Sequence, residues 1–111
     1  MDMENTAIIQ EQLEAYNAHD LERFVACYAP DVLVEDGQGN EISRGAEQFR
    51  TRYGWLFEHH PDVHAEVVHR IRVADYVVDE EQVAGRGPKP MHVIAIYRVV
   101  DNRIVHVRFL R

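Results

Sequence analysis

A chain of 111 residues, 46% hydrophobic and 28% charged, can build one core but not two, so a single domain over residues 1–111 is expected and a disordered chain is excluded. Its 19 acidic and 12 basic side chains leave a formal net charge of −7, which argues against nucleic acid or an anionic membrane as a partner. The opening "MDMENTAIIQEQ" has neither a basic region nor a long apolar run, and Cys27 is the single cysteine. A cytoplasmic protein without disulfides or membrane spans is the expectation.

In chain order, Asn5 or Thr6 can cap a first helix with Ile9, Leu13 and Tyr16 along its apolar stripe. Asp20 can cap a second, with Leu21, Phe24, Val25 and Tyr28 facing inward until Pro30 stops it. "VLVED" reads as a short strand and "GQGN" as a turn. A third helix is expected from about Gly45 to His59, burying Phe49, Tyr53, Leu56 and Phe57 and ended by Pro61.

The period then changes to two. In "VHAEVVHRIRVA", Val67, His69, Ile71 and Val73 share one face, with Glu66, Arg70 and Arg72 on the other. "YVVDEEQVA" is the next strand, closed by "GRGPKP". "MHVIAIYRVV" and "RIVHVRFLR" follow, joined at Asp101-Asn102, two residues that tolerate the positive φ of a tight hairpin. Helices followed by antiparallel strands is the order of an α+β fold.

"MHVIAIYRVV" is apolar on both faces: Met91, Val93, Ala95, Tyr97 and Val99 on one, Ile94, Ile96 and Val100 on the other. Three short helices can cover only one face of a sheet. The face carrying His92, Ile94, Ile96 and His106 therefore calls for a cover, a second copy of the chain or else a loop or terminus.

Several polar residues carry two readings each. Asp36, after the apolar run of "VLVED", is either a base inside a pocket or a solvated carboxylate capping "GQGN". Alternation turns Glu35 outward. Asp79 and Glu81 point one way and Glu80 the other, so one of these acids can reach a cavity, in a register the sequence leaves open. Tyr28 and Tyr53 lie on buried helical stripes, as core or as pocket lining. His59, His60 and His64 surround Pro61 without the spacing of a ligand pair, so no metal is expected. Cys27 reads as core.

The segment "AYNAHDLERFVACYAPDVLVEDGQGNEISRGAEQFRTRY", Ala15 to Tyr53, together with "RIVHVRFLR", resembles the nuclear transport factor 2-like superfamily in its SnoaL-like and ketosteroid isomerase-like branches. The resemblance implies a cone-shaped α+β barrel, three N-terminal helices on a curved, mostly antiparallel sheet, enclosing a small-molecule pocket and dimerising through the sheet's outer face. It places a general base at Asp36. It also implies a lining of Gln12, Tyr16, Tyr28, Phe49, Tyr53, His69, Val93, Ala95, Tyr97, Val107 and Phe109. The two oxyanion donors of the steroid isomerases fall on Gln12 and Ala95, so authentic steroid isomerisation is not expected. What the resemblance leaves is an isomerase, cyclase or dehydratase with an Asp acid/base and no cofactor, acting on a small apolar or partly polar molecule. The alternative is a non-catalytic binding or dimerisation module of the same fold.

Overall fold

The computed structural model describes the backbone of residues 2–111 and the side chains of residues 5–111. Helices α1 (Asp2–Asn17) and α2 (Leu21–Val25) are followed by strands β1 (Tyr28–Asp36) and β2 (Glu41–Arg44), helix α3 (Ala46–His59), and strands β3 (His64–Val73), β4 (Tyr76–Ala84), β5 (Met91–Val100) and β6 (Arg103–Leu110). The strands form one sheet in the order β2-β1-β6-β5-β4-β3, antiparallel except where β1 runs parallel to β6. The helices pack on one face, so the α+β architecture expected from the sequence is what the chain adopts.

Two helix boundaries differ from expectation. The first helix already begins at Asp2, ahead of Asn5 and Thr6. The second is capped by Asp20, which accepts from the Arg23 N–H at 3.2 Å, but it ends at Val25. Tyr28 and Pro30 belong to β1, because the backbone from Tyr28 pairs with β6 starting at Ile104. Sheet pairing overrides the helical stripe. "EISR", given no element above, is the short strand β2.

Phe24 lies at the centre of the core, with ring centroids 4.8 Å from Tyr53, 5.1 Å from Tyr28, 5.4 Å from Phe49 and 5.7 Å from Tyr16. Truncating such a ring costs about 3–5 kcal/mol. Polar contacts then fix the helices to the sheet. The Asn17 side-chain amide donates to the Ala65 carbonyl at 2.9 Å and accepts from the Ala65 N–H at 2.8 Å, continuing the ladder at the edge strand β3. Arg23 grips Glu11 with two bonds of 2.6 and 2.9 Å, locking α2 to α1.

The hairpin between β5 and β6 turns at Asp101 and Asn102, both with positive φ (51° and 60°), as their composition implied. The turn after β4 is tighter. Gly85 has φ 88°, and a Cβ there would lie 2.3 Å from the Asp62 carbonyl oxygen, so the chain leaves β4 pressed against another backbone.

Candidate functional site

The floor of the site is set by how β3 pairs with β4. Val67 lies opposite Glu81, but His69 lies opposite Glu80, so Val68 is an extra residue in a β-bulge. Beyond the bulge the faces exchange: Arg70 turns inward opposite Asp79, and His69 turns outward opposite Glu80. The uninterrupted alternation expected from the sequence, with His69 lining the cavity, is therefore corrected. His69 is exposed on the outer face, its Nδ1 2.8 Å from Glu80.

This register puts Asp79 and Glu81 on the helix-facing side. Asp79 is fully buried and bound by Arg70 in a two-pronged pair, Nε to Oδ1 at 2.6 Å and Nη2 to Oδ2 at 2.9 Å. Glu81, two residues on, is only 7% exposed and has no hydrogen-bond or ion-pair partner among the described residues. Burial, then the neighbouring Asp79 charge, raises its pKa to about 7, while Arg70 pulls the other way.

Glu81 opens into a cavity of about 60 Å³ shared with Gln12, Tyr16, Tyr28, Tyr53 and Tyr97, with Val93 and Phe109 among its apolar walls. The polar groups of its floor are ordered. The Tyr28 hydroxyl donates to Gln12 Oε1 at 2.8 Å, and Gln12 Nε2 donates to the Tyr97 hydroxyl oxygen at 3.3 Å. Gln12 thus holds two tyrosines in place, and the Tyr97 proton is left over. The Tyr16 and Tyr53 hydroxyls have no partner among the described residues. Burial raises the pKa of all four phenols, Tyr53 to about 12, so each is a neutral donor at physiological pH. The site therefore offers one group that can exchange a proton near neutrality beside hydroxyls that can donate to an oxygen.

The remaining sequence-derived positions fall into three groups. Phe49, Ala95 and Val107 are buried core and do not reach the cavity wall. His92, Ile94, Ile96 and His106 lie on the outer face, where His92 Nε2 is 2.7 Å from Glu80 and His106 meets Glu35. Asp36 is the main correction. Its Oδ1 accepts from the Gln38 and Asn40 N–H groups, both at 2.9 Å, and its Oδ2 from the Asn40 side chain at 3.1 Å. These bonds hold its pKa below the usual carboxylate value, and the residue does not line the cavity. Asp36 is the turn cap of "GQGN", the second of its two readings. The acid that lines the cavity is Glu81, whose signal was alternation through Asp79-Glu80-Glu81.

A second, larger space of about 390 Å³ adjoins the first, the two sharing Tyr53, Leu56, Arg86, Phe109 and Arg111. Its other walls include Val34, Ile42, Ser43, Arg52 and Trp55. Among the described residues no group of three or more His, Cys, Asp or Glu side chains is placed to hold a metal ion, and no helix is long and apolar enough to cross a membrane.

Comparison with known proteins agrees with this architecture. A family model for the SnoaL-like domain matches residues 9–107. An uncharacterised cystatin-fold protein from Novosphingobium aromaticivorans superposes with TM-score 0.87 at 26% identity, over 96% of this chain and 97% of that one. A candidate polyketide cyclase from Sinorhizobium meliloti gives TM-score 0.82 at 21% identity over 93% of each chain. A SnoaL-like protein of unknown function from Burkholderia thailandensis gives 0.82 at 22% identity, over 98% of this chain and 95% of that one.

Proposed function

The chain belongs to the SnoaL-like domain family, and from that premise we propose that it is a small-molecule enzyme in which Glu81, not Asp36, moves a proton at a carbon next to a carbonyl group. The observation that carries this reading is a buried carboxyl group without a hydrogen-bond or ion-pair partner among the described residues, opening into a cavity whose other polar groups are four tyrosine hydroxyls, the Gln12 amide and, where it meets the outer space, Arg86 and Arg111. A base with a pKa close to the working pH is ionised often enough to act and basic enough to accept a proton. Glu81 takes the proton, the C–H pair becomes the C=C bond of an enol(ate), and the Tyr16 and Tyr53 hydroxyls donate to the oxygen where charge gathers. Return of the proton to another atom completes an isomerisation; attack of the carbanion on a carbonyl closes a ring; loss of a β-hydroxyl is a dehydration. The candidate polyketide cyclase is of this class, and at 21% identity it speaks for the fold alone.

The inner cavity, at about 60 Å³, admits the reacting end of a molecule and not a whole ring system. That small volume favours the second reading, a module that binds without chemistry. Deuterium wash-in separates the two. Acetone incubated in heavy water and followed by proton NMR should exchange its α-protons faster with the wild type than with Glu81→Gln, by about 100-fold or more. Equal rates in the two proteins would remove Glu81 from any chemistry.

We also infer a homodimer through the outer sheet face. Ile94 and Ile96 remain half-buried there, with no helix over them, beside the Glu80 pairs to His69 and His92.

A further inference from the structure

In a chain of net charge −7, cations without a carboxylate are worth locating. Arg23, Arg44, Arg50, Arg70, Arg98 and Arg108 each hold an acid. Arg52, Arg72, Arg86, Lys89, Arg103 and Arg111 hold none among the described residues, and three of these six, Arg52, Arg86 and Arg111, line the larger chamber, the latter two where it meets the Glu81 cavity. They come from three separate places, α3, the β4–β5 loop and the residue after β6, so no local sequence pattern explains their meeting. No carboxylate side chain lines this chamber among the described residues.

A second observation points the same way. Ser43, only 2% exposed on β2, lines the chamber, and its hydroxyl is buried with no hydrogen-bond partner. A buried donor without an acceptor costs free energy unless a ligand supplies one. The three guanidinium groups also act together on the Tyr53 phenol at the boundary of the two spaces, each favouring its anionic form. Between these donors lie Val34, Ile42, Phe109 and the indole of Trp55, an apolar wall for the body of a ligand.

We propose that the outer chamber binds an oxyanion head group, carboxylate or phosphate, so that the ligand is an organic acid held by Arg52, Arg86, Arg111 and Ser43 with its other end entering the cavity of Glu81. The identification of the inner end as the reacting one rests on the reading of Glu81 above. Guanidinium groups suit either oxyanion because their forked donors match two oxygens at once. The charge opposite to that of the protein surface also draws the ligand to the mouth alone.

Trp55 is the single tryptophan and lies in the chamber wall, so its fluorescence reports occupancy. Titration with cyclohexanecarboxylate, cyclohexyl phosphate and cyclohexanecarboxamide tests the proposal. At least one of the two anions should bind about tenfold or more tightly than the amide. That preference should weaken with added sodium chloride and collapse in the Arg52→Gln/Arg86→Gln variant, whose changes are at exposed positions. The tighter anion identifies the head group. Equal binding of all three probes, no saturable change with any of them, or a preference that survives the double substitution would overturn it. Wash-in with neutral acetone reports Glu81 and the anion-to-amide ratio reports the arginines, so either reading can fail alone.

Discussion

Arg70 and Asp79 form a two-pronged ion pair beneath the cavity, with Asp79 fully buried and the Arg70 side chain 19% exposed. Their pairing is why a second acid, Glu81, can share the same strand face: one buried carboxylate is paired with a cation, and the other keeps its proton up to about pH 7. Removing the cation upsets both. Arg70→Gln should destabilise the protein by about 3–5 kcal/mol, because an unpaired buried charge remains. It should also raise the apparent pKa of Glu81 further, since Arg70 is the group that lowers it. Urea denaturation and a pH profile of acetone exchange measure the two effects.

Glu81 itself predicts a pH dependence of stability. Its folded pKa of about 7 lies above its ordinary value of 4.5, so the folded state holds a proton that the unfolded state releases between those values. Its contribution is fully present below about pH 4.5, declines up to about pH 7 and is level above that. The stability of the wild type relative to Glu81→Gln should therefore fall by about 3 kcal/mol across this window. Paired urea denaturation curves at several pH values check it, and a difference that rises with pH would contradict the assignment.

For Asp36 the sign is reversed. Turn N–H groups favour its charged form, so the stability it adds is present above its ordinary pKa and is lost as the solution is acidified through its lowered folded value. Asp36→Ala should lower Tm at neutral pH and leave acetone exchange by the folded protein unchanged. Loss of exchange without loss of stability would restore Asp36 to the chemistry.

The dimer is tested on the opposite face of the sheet. Ile94→Asp with Ile96→Asp places two charges where a partner would pack, and light scattering should show the mass falling to that of one chain. A wild type that already runs as one chain contradicts the inference.

Much of this was legible in the sequence where a local period ran unbroken. β5 alternates without a bulge from Met91 to Arg98, so its inward set was readable, and Asp101-Asn102 announced their turn. The errors arose where pairing partners, not local composition, decide the structure. Tyr28 fits a helical stripe, yet its backbone pairs with β6. The bulge at Val68 has no composition of its own, and one uncounted residue sent His69 out and Arg70 in. Asp36 shows a further limit: the same Asp before a Gly-containing turn serves a pocket or a cap equally, and only the three donors around it decide. The meeting of Arg52, Arg86 and Arg111 spans the chain and had no sequence signal.

Gly85 and Gly87 flank Arg86 under opposite constraints. At Gly85 there is no room for even a methyl group, whereas a Cβ at Gly87 would meet nothing within 4 Å. The loop is thus clamped at its root and unconfined toward its tip. Insertions or replacements from residue 87 onward can alter what crosses the chamber mouth while the strands beneath keep their register. Ligand preference and folding stability are then separable to natural variation, and one scaffold can change the charge it selects without being rebuilt.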